Sequence, residues 1–223
     1  MYGKRGKRNG FFASSNTGGR PRVMFLPGLG ETEAAWRPVI ELLPEIEGRT
    51  AAVFGVGAET ADWSLEAVTQ RVAASLERPV HLVGLSLGAI VALNLTCQYP
   101  DKVASLFVSA PQAKPPQVLM RVQSALMRVL PAKTVCPPGV SKAELLAVLR
   151  TVANLDLTAG LGNIAVPTTV ACGAKDWANL AAARDIAAAI PGARLVIVPG
   201  ARHQWHQDNP GCFAAGLKRH LAL

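Results

Sequence analysis

The sequence predicts the α/β class: a mostly parallel central sheet with helices on both faces. Three observations carry this. Short apolar runs alternate with longer segments of helical periodicity. Within the runs, consecutive positions are apolar, as in strands covered on both faces, rather than every second one. The chain has 223 residues, 50% hydrophobic and 17% charged, enough for one domain with a sizeable core.

In chain order, residues 23–26 (Val-Met-Phe-Leu) read as a first buried strand, closed by Pro27-Gly28. A helix is expected over 33–43, stopped at Pro44, and a second strand over 50–54. Residues 64–76 read as a helix with Ser64 as N-cap and Ala67 in its first turns. A strand over 80–85 and a helix over 87–98 follow, the helix ended by Tyr99-Pro100, and then a strand over 103–108. There the alternation lapses. Residues 112–153 carry two helical patterns, 117–129 and 142–152, separated by Pro131 and Pro137-Pro138. The alternation resumes with a strand over 168–172, a helix over 179–190, a strand over 194–198 and a last helix over 210–221. The helical insertion follows the strand ending near Val108, so it is expected above the carboxyl ends of the strands, where open α/β sheets bind ligands.

The net charge of +8 suggests nucleic acid until it is located. Six of the 23 basic residues (Lys4, Arg5, Lys7, Arg8, Arg20 and Arg22) precede residue 23 with no acid among them, leaving 17 basic against 15 acidic residues. The body is therefore near neutral and predicts no nucleic-acid partner. Residues 1–21 read as a flexible basic tail, and 22–223 as the folded domain. No apolar run reaches the roughly 20 residues of a membrane helix. The apolar piece behind the basic start, Phe11-Phe12-Ala13, is too short for a secretory signal, so a cytoplasmic protein is the expectation. Cys97, Cys136, Cys172 and Cys212 show no metal-ligand spacing. They are expected to be buried free thiols, and no metal or cofactor is expected.

The chemistry is concentrated in Gly84-Leu85-Ser86-Leu87-Gly88, between an expected strand and an expected helix. Gly-x-Ser-x-Gly in that context is a nucleophile elbow: a serine on a strained corner, with glycines where strand and helix pass too close for a Cβ. A serine hydroxyl needs a base. Of four histidines, His81 lies inside a strand and His220 in the last helix, leaving His203 and His206 beyond the final strand. His203 is the favoured base; His206 is the alternative, otherwise a solvated loop or helix-start residue. Asp176, just past residues 168–172, is the candidate orienting acid, its other reading being an acid at a helix N-terminus. Beyond residues 103–108, another expected strand end, the sequence reads Ser109-Ala110-Pro111-Gln112 and offers no carboxylate. Asp208 reads as a helix cap. Oxyanion donors are expected from the backbone N–H of Leu87, at a helix start, and of Leu29, in the Leu26-Pro27-Gly28-Leu29-Gly30 loop.

With these residues placed, the chain resembles α/β-hydrolase-fold proteins of the serine esterase type from about Arg22 to Leu221. The resemblance rests on the oxyanion loop with Trp36 after it, His81 to Gly88, Tyr99 to Val103, Ile164 to Pro167, Gly173 to Asp176, Pro199 to His203, and Pro210. The order Ser86, Asp176, His203 is that family's order. Two positions depart from it: Pro27 stands where many members carry histidine, and Leu85 where histidine often precedes the serine. The resemblance implies cleavage of a small acyl ester through an acyl-enzyme. A thioesterase, lactonase or carbon–carbon bond hydrolase would use the same residues, and a non-catalytic binding protein could keep the fold. Residues 112–153 are short for a full lid, which predicts a shallow or open pocket. Their apolar stripe (Val118, Leu119, Met120, Leu126, Met127, Leu145, Leu146 and Leu149) is expected mainly to cover the body, any surplus lining an acyl pocket.

Overall fold

The computed structural model describes residues 19–54, 63–136 and 140–223. The tail up to residue 18, the expected break at Pro137-Pro138 and the side chains of Val118 and Leu119 lie outside the described residues. Among those described, six strands form one sheet: β1 (Arg22–Leu26), β2 (Glu47–Thr50), β3 (Val80–Leu85), β4 (Val103–Ser109), β5 (Thr168–Gly173) and β6 (Arg194–Val198). Their order is β2-β1-β3-β4-β5-β6, with every neighbouring pair parallel. The helices are α1 (Arg37–Glu41), α2 (Leu65–Ser75), α3 (Leu87–Gln98), α4 (Gln117–Val129), α5 (Ala132–Val135), α6 (Lys142–Ala153), α7 (Thr158–Leu161), α8 (Trp177–Ala189), α9 (Trp205–Asp208) and α10 (Pro210–Leu221). None among the described residues is long and apolar enough to cross a membrane.

Alternation along β1 shows why the sheet is covered twice. Met24 and Leu26 belong to the core that α2, α3 and α8 cover, whereas Val23 and Phe25 belong to the core on the other face with Trp36, α1 and α10. Both sets are buried, so the strand reads as a continuous apolar run. The direction of strand addition reverses between β1 and β3: β2 lies outside β1, and β4, β5 and β6 follow β3 the other way. That switch point is where an open α/β sheet leaves a crevice at its carboxyl edge.

Local physics explains most boundaries. Ser64 caps α2 by accepting from Ala67 N at 3.1 Å. The expected helix over 33–43 is split into a 3-10 turn, Glu33–Trp36, and α1. Pro38 has no N–H to continue a helical ladder back to residue 34. The expected strand over 50–54 is a correction: pairing uses the polar edge segment Glu47–Thr50 instead. Val53 and Phe54 leave the edge and enter the core as loop residues, Trp63 Nε1 donating to Val53 O at 2.8 Å. Apolarity marked burial there, not pairing. A second correction concerns the start of α10, where Asn209, not Asp208, is the cap and accepts from Cys212 N at 3.0 Å. The four cysteines are free, but only Cys172 is fully buried.

The insertion leaves and rejoins the sheet through a narrow neck. Leu157 N donates to Ala113 O at 2.9 Å, and Lys114 Nζ lies 2.8 Å from Asp156 Oδ2. Beyond it, Met120 of α4 packs on Leu145 and Leu149 of α6 in a small core of their own. Leu126 faces solvent, so the stripe is only partly used.

The turn between β3 and α3 is packed backbone against backbone. A Cβ on Gly88 would lie 2.1 Å from Leu26 O, and one on Gly84 would lie 2.5 Å from Gly88 O. Backbone cannot yield as a side-chain tip can. Gly88→Ala is therefore expected to cost about 3 kcal/mol by forcing α3 off β1, lowering Tm by roughly 6–12 °C. An unchanged Tm would show that α3 does not depend on this contact.

Candidate active site

Ser86 sits between β3 and α3 with φ 52° and ψ −111°. This left-handed backbone costs a non-glycine residue about 1–3 kcal/mol. The neighbours enforce it: Ser86 N donates to Ser109 O at 3.0 Å, and Ser86 O accepts from Ile90 N at 3.0 Å. The corner turns the serine out of the packed layer, and it is half-buried while Leu85 and Leu87 on either side are buried.

Asp176 follows β5 and precedes α8; His203 lies in the loop after β6. These two loops are joined through their backbones. Ala174 N donates to Val198 O at 2.9 Å and Lys175 N to Ala201 O at 2.8 Å. The approach is close enough that a Cβ on Gly173 would stand 2.5 Å from Ala201 O. The side chains meet above this contact, with His203 Nδ1 2.7 Å from Asp176 Oδ2. With Nδ1–H donating to the carboxylate, Nε2 keeps its lone pair and can accept a proton. The Asp176 side chain is 6% exposed and that of His203 38%, so the acid is shielded and the imidazole reaches solvent. Burial pushes the Asp176 carboxyl up, but its bonds with His203 and Asn179 outweigh this and hold it below the ordinary carboxylate value.

Ser86, Leu87, Leu29 and His203 line one cavity of about 220 Å³ at the carboxyl edge of the sheet. Ser86 and His203 are not directly hydrogen-bonded among the described residues. Bonds of this kind commonly tighten only when substrate fills the site. Leu87 N is the first amide of α3, where no intrahelical acceptor exists. Met120, Val148, Leu149 and Val152 bring the insertion into the cavity wall.

Four supporting residues escaped the sequence reading. Asn179 Nδ2 donates to Asp176 Oδ1 at 2.8 Å, and Gln112 Nε2 donates to Asn179 Oδ1 at 2.9 Å. Asn179 Nδ2 also lies 3.2 Å from His203 Nδ1, a contact that is not a hydrogen bond when Nδ1 carries the proton. Trp205 Nε1 donates to buried Ser109 Oγ at 2.8 Å and fastens the histidine loop to β4. The fourth is Glu31, buried beside the Leu29 loop. Only the position of Gln112, where a competing acid would stand, offered a signal.

The other histidines sort differently from expectation in one case. His81 and His220 both bond Ser105 Oγ at 2.7 Å within the fold. Burial pushes His220 down to about 4, with the charges of His81 and Arg194 adding to the effect. His206, expected to be solvated if not the base, is 0% exposed. Its ring lies 4.4 Å from that of Trp36, because α9 turns it into the core beneath the loop.

Comparison with known proteins agrees with this architecture. A family model described as alpha/beta hydrolase family matches residues 23–215. A pimeloyl-[acyl-carrier protein] methyl ester esterase of Methylococcus capsulatus is 38% identical over 95 residues, 40% of this chain and 37% of that protein. Lipase LipV of Mycobacterium tuberculosis is 33% identical over 99 residues, 42% of this chain and 38% of that protein. Each of these two matches thus spans little more than a third of the relative's length. The crystal structure of the enol-lactonase from Burkholderia xenovorans superposes with a TM-score of 0.77 at 20% identity, covering 93% of this chain and 94% of that one. A family match across most of the body, on a six-stranded parallel sheet with an elbow after β3, means that this chain belongs to the alpha/beta hydrolase family.

Proposed function

We propose that the protein is a serine hydrolase that cleaves carboxylic esters of uncharged, apolar acyl groups. One observation carries the reading: the 2.7 Å His203–Asp176 bond stands at the rim of a cavity that also holds Ser86 on its strained corner. Ser86 Oγ attacks the ester carbonyl as His203 Nε2 takes its proton. Asp176 keeps the imidazole in the required tautomer and stabilises the imidazolium. The Leu29 and Leu87 amides donate to the oxyanion of the tetrahedral intermediate. His203 then protonates the leaving alcohol, and water, activated the same way, releases the acid from Ser86. No step calls for a metal or cofactor. The two curated relatives, one named a methyl ester esterase and the other a lipase, support ester cleavage.

The cavity supports the acyl class. Leu29, Ile90, Met120, Val148, Leu149 and Val152 dominate its wall, and no Lys, Arg, Asp or Glu is among the described lining residues. Its volume of about 220 Å³, below the usual range for drug-sized ligands, suits a short or medium acyl chain rather than a long one. The test is a p-nitrophenyl ester series, with matched thioesters. From acetate upward, kcat/KM should rise about fourfold per methylene, at about 0.8 kcal/mol each, and stop rising near hexanoate to octanoate. A fluorophosphonate probe should label Ser86 stoichiometrically. Preference for a charged acyl group or a palmitoyl ester would refute the acyl assignment, and failure to label would refute the serine assignment.

A further inference from the structure

Glu31 is a carboxylate 8% exposed, with its charge satisfied by two different loops. From its own loop it accepts Gly28 N at 2.8 Å through Oε2. From the segment after His203, Oε1 accepts Gln204 Nε2 of the loop at 2.9 Å and Gln207 Nε2 of α9 at 2.7 Å. His206 Nε2 stands 3.3 Å from the same oxygen, off the line of a hydrogen bond. A buried carboxylate with this many donors is costly to disturb, because its desolvation is offset only by these bonds.

The backbone of Glu31 completes the arrangement. Its N–H donates to Gly28 O at 3.2 Å, so Gly28 is held at both its N–H and its C=O by one residue. Gly28 C=O and Leu29 N–H belong to the same planar trans peptide and point in opposite directions. Fixing the carbonyl on the Glu31 side therefore aims Leu29 N–H away from Glu31. Leu29 is a wall residue of the cavity. Among the described residues, no backbone hydrogen bond of the loop uses that N–H.

We infer that Glu31 is a positioning residue: it sets the direction of the Leu29 oxyanion donor and ties it to the loop carrying His203. The inference rests on the serine-hydrolase reading above. Glu31 touches no reacting atom; it acts through Gly28 on one side and through Gln204, the neighbour of His203, on the other.

The test separates oxyanion binding from ground-state binding and from folding. The full chain and its Glu31→Gln variant are assayed with p-nitrophenyl hexanoate. Both are titrated with an alkyl trifluoromethyl ketone, which becomes an oxyanion on Ser86, and with the matching methyl ketone. Gln at this position offers one acceptor, and its amide would face other donors. The expected result is a kcat loss of about 10- to 100-fold with KM nearly constant. The trifluoromethyl ketone should weaken by the same factor and the methyl ketone should not. Gln204→Ala with Gln207→Ala, both exposed positions, should reproduce the pattern at smaller size and decides the matter if Glu31→Gln does not fold. Unchanged trifluoromethyl ketone affinity in a folded variant, or equal weakening of both ketones, overturns the role of Glu31. Full activity in Ser86→Ala would instead overturn the serine-hydrolase reading, and the role of Glu31 with it.

Discussion

Ser86→Ala is expected to lower kcat/KM for p-nitrophenyl hexanoate by about 10⁴- to 10⁶-fold while leaving the fold intact. The chemical reason is that the proposed first step needs an oxygen nucleophile at the corner between β3 and α3, and alanine supplies none. The structural reason is that the hydroxyl makes no cap bond to α3, so the fold loses no contact with it. Backbone strain at φ 52° stays with alanine, since both residues carry a Cβ. Ser86→Gly removes that Cβ and should be equally inactive but more stable, by about 1 kcal/mol after the entropy cost of glycine. Activity and stability moving in opposite directions at one residue would identify strain held for function. Wild-type turnover in either variant would remove Ser86 from the mechanism.

What could be read in the sequence divides along a physical line. β1, β3, β4 and β5 are buried and apolar, so composition alone located them. Ser86, Asp176 and His203 lie at the carboxyl ends of β3, β5 and β6, the strand ends at which the elbow motif and the strand order expect them. β2 escaped because an edge strand pairs through its backbone and needs no apolar run; its exposed Glu47 and Arg49 look like loop residues. Glu31, Asn179 and Gln112 escaped for a related reason. Each works through hydrogen bonds to segments distant in sequence, as Glu31 does to Gln207 and Gln112 to Asn179. A polar residue in a loop carries no local sign that it will be buried. His206 shows the converse, since spacing beside His203 gave no hint that Trp36 would cover it.

Asp176→Asn is expected to lower kcat by about 10⁴-fold with the geometry of the site preserved. The asparagine can sit in two orientations, and the surroundings choose between them. Asn179 Nδ2 points a donor at the Oδ1 position from 2.8 Å. Gln112 holds Asn179 in that orientation by donating to its carbonyl at 2.9 Å. The new amide therefore places its carbonyl toward Asn179 and its NH₂ toward His203. An NH₂ facing Nδ1 makes that nitrogen an acceptor and moves the ring proton to Nε2, where it blocks acceptance from Ser86. The acid limb of stability gives an independent check. The Asp176 carboxyl lies below its ordinary value of 3.8 in the folded state: burial raises it, but the bonds with His203 and Asn179 prevail. Its contribution to stability is thus complete above that value and lost as pH falls through the lower, folded-state value. Asp176→Asn lacks that contribution at every pH, so urea midpoints of wild type and variant should converge on acidification. Midpoints separated by the same interval at pH 7 and in acid would mean that the Asp176 charge does not stabilise the folded chain. A variant with near-native kcat would mean that the imidazole is oriented by Asn179 and the loop backbone rather than by the carboxylate.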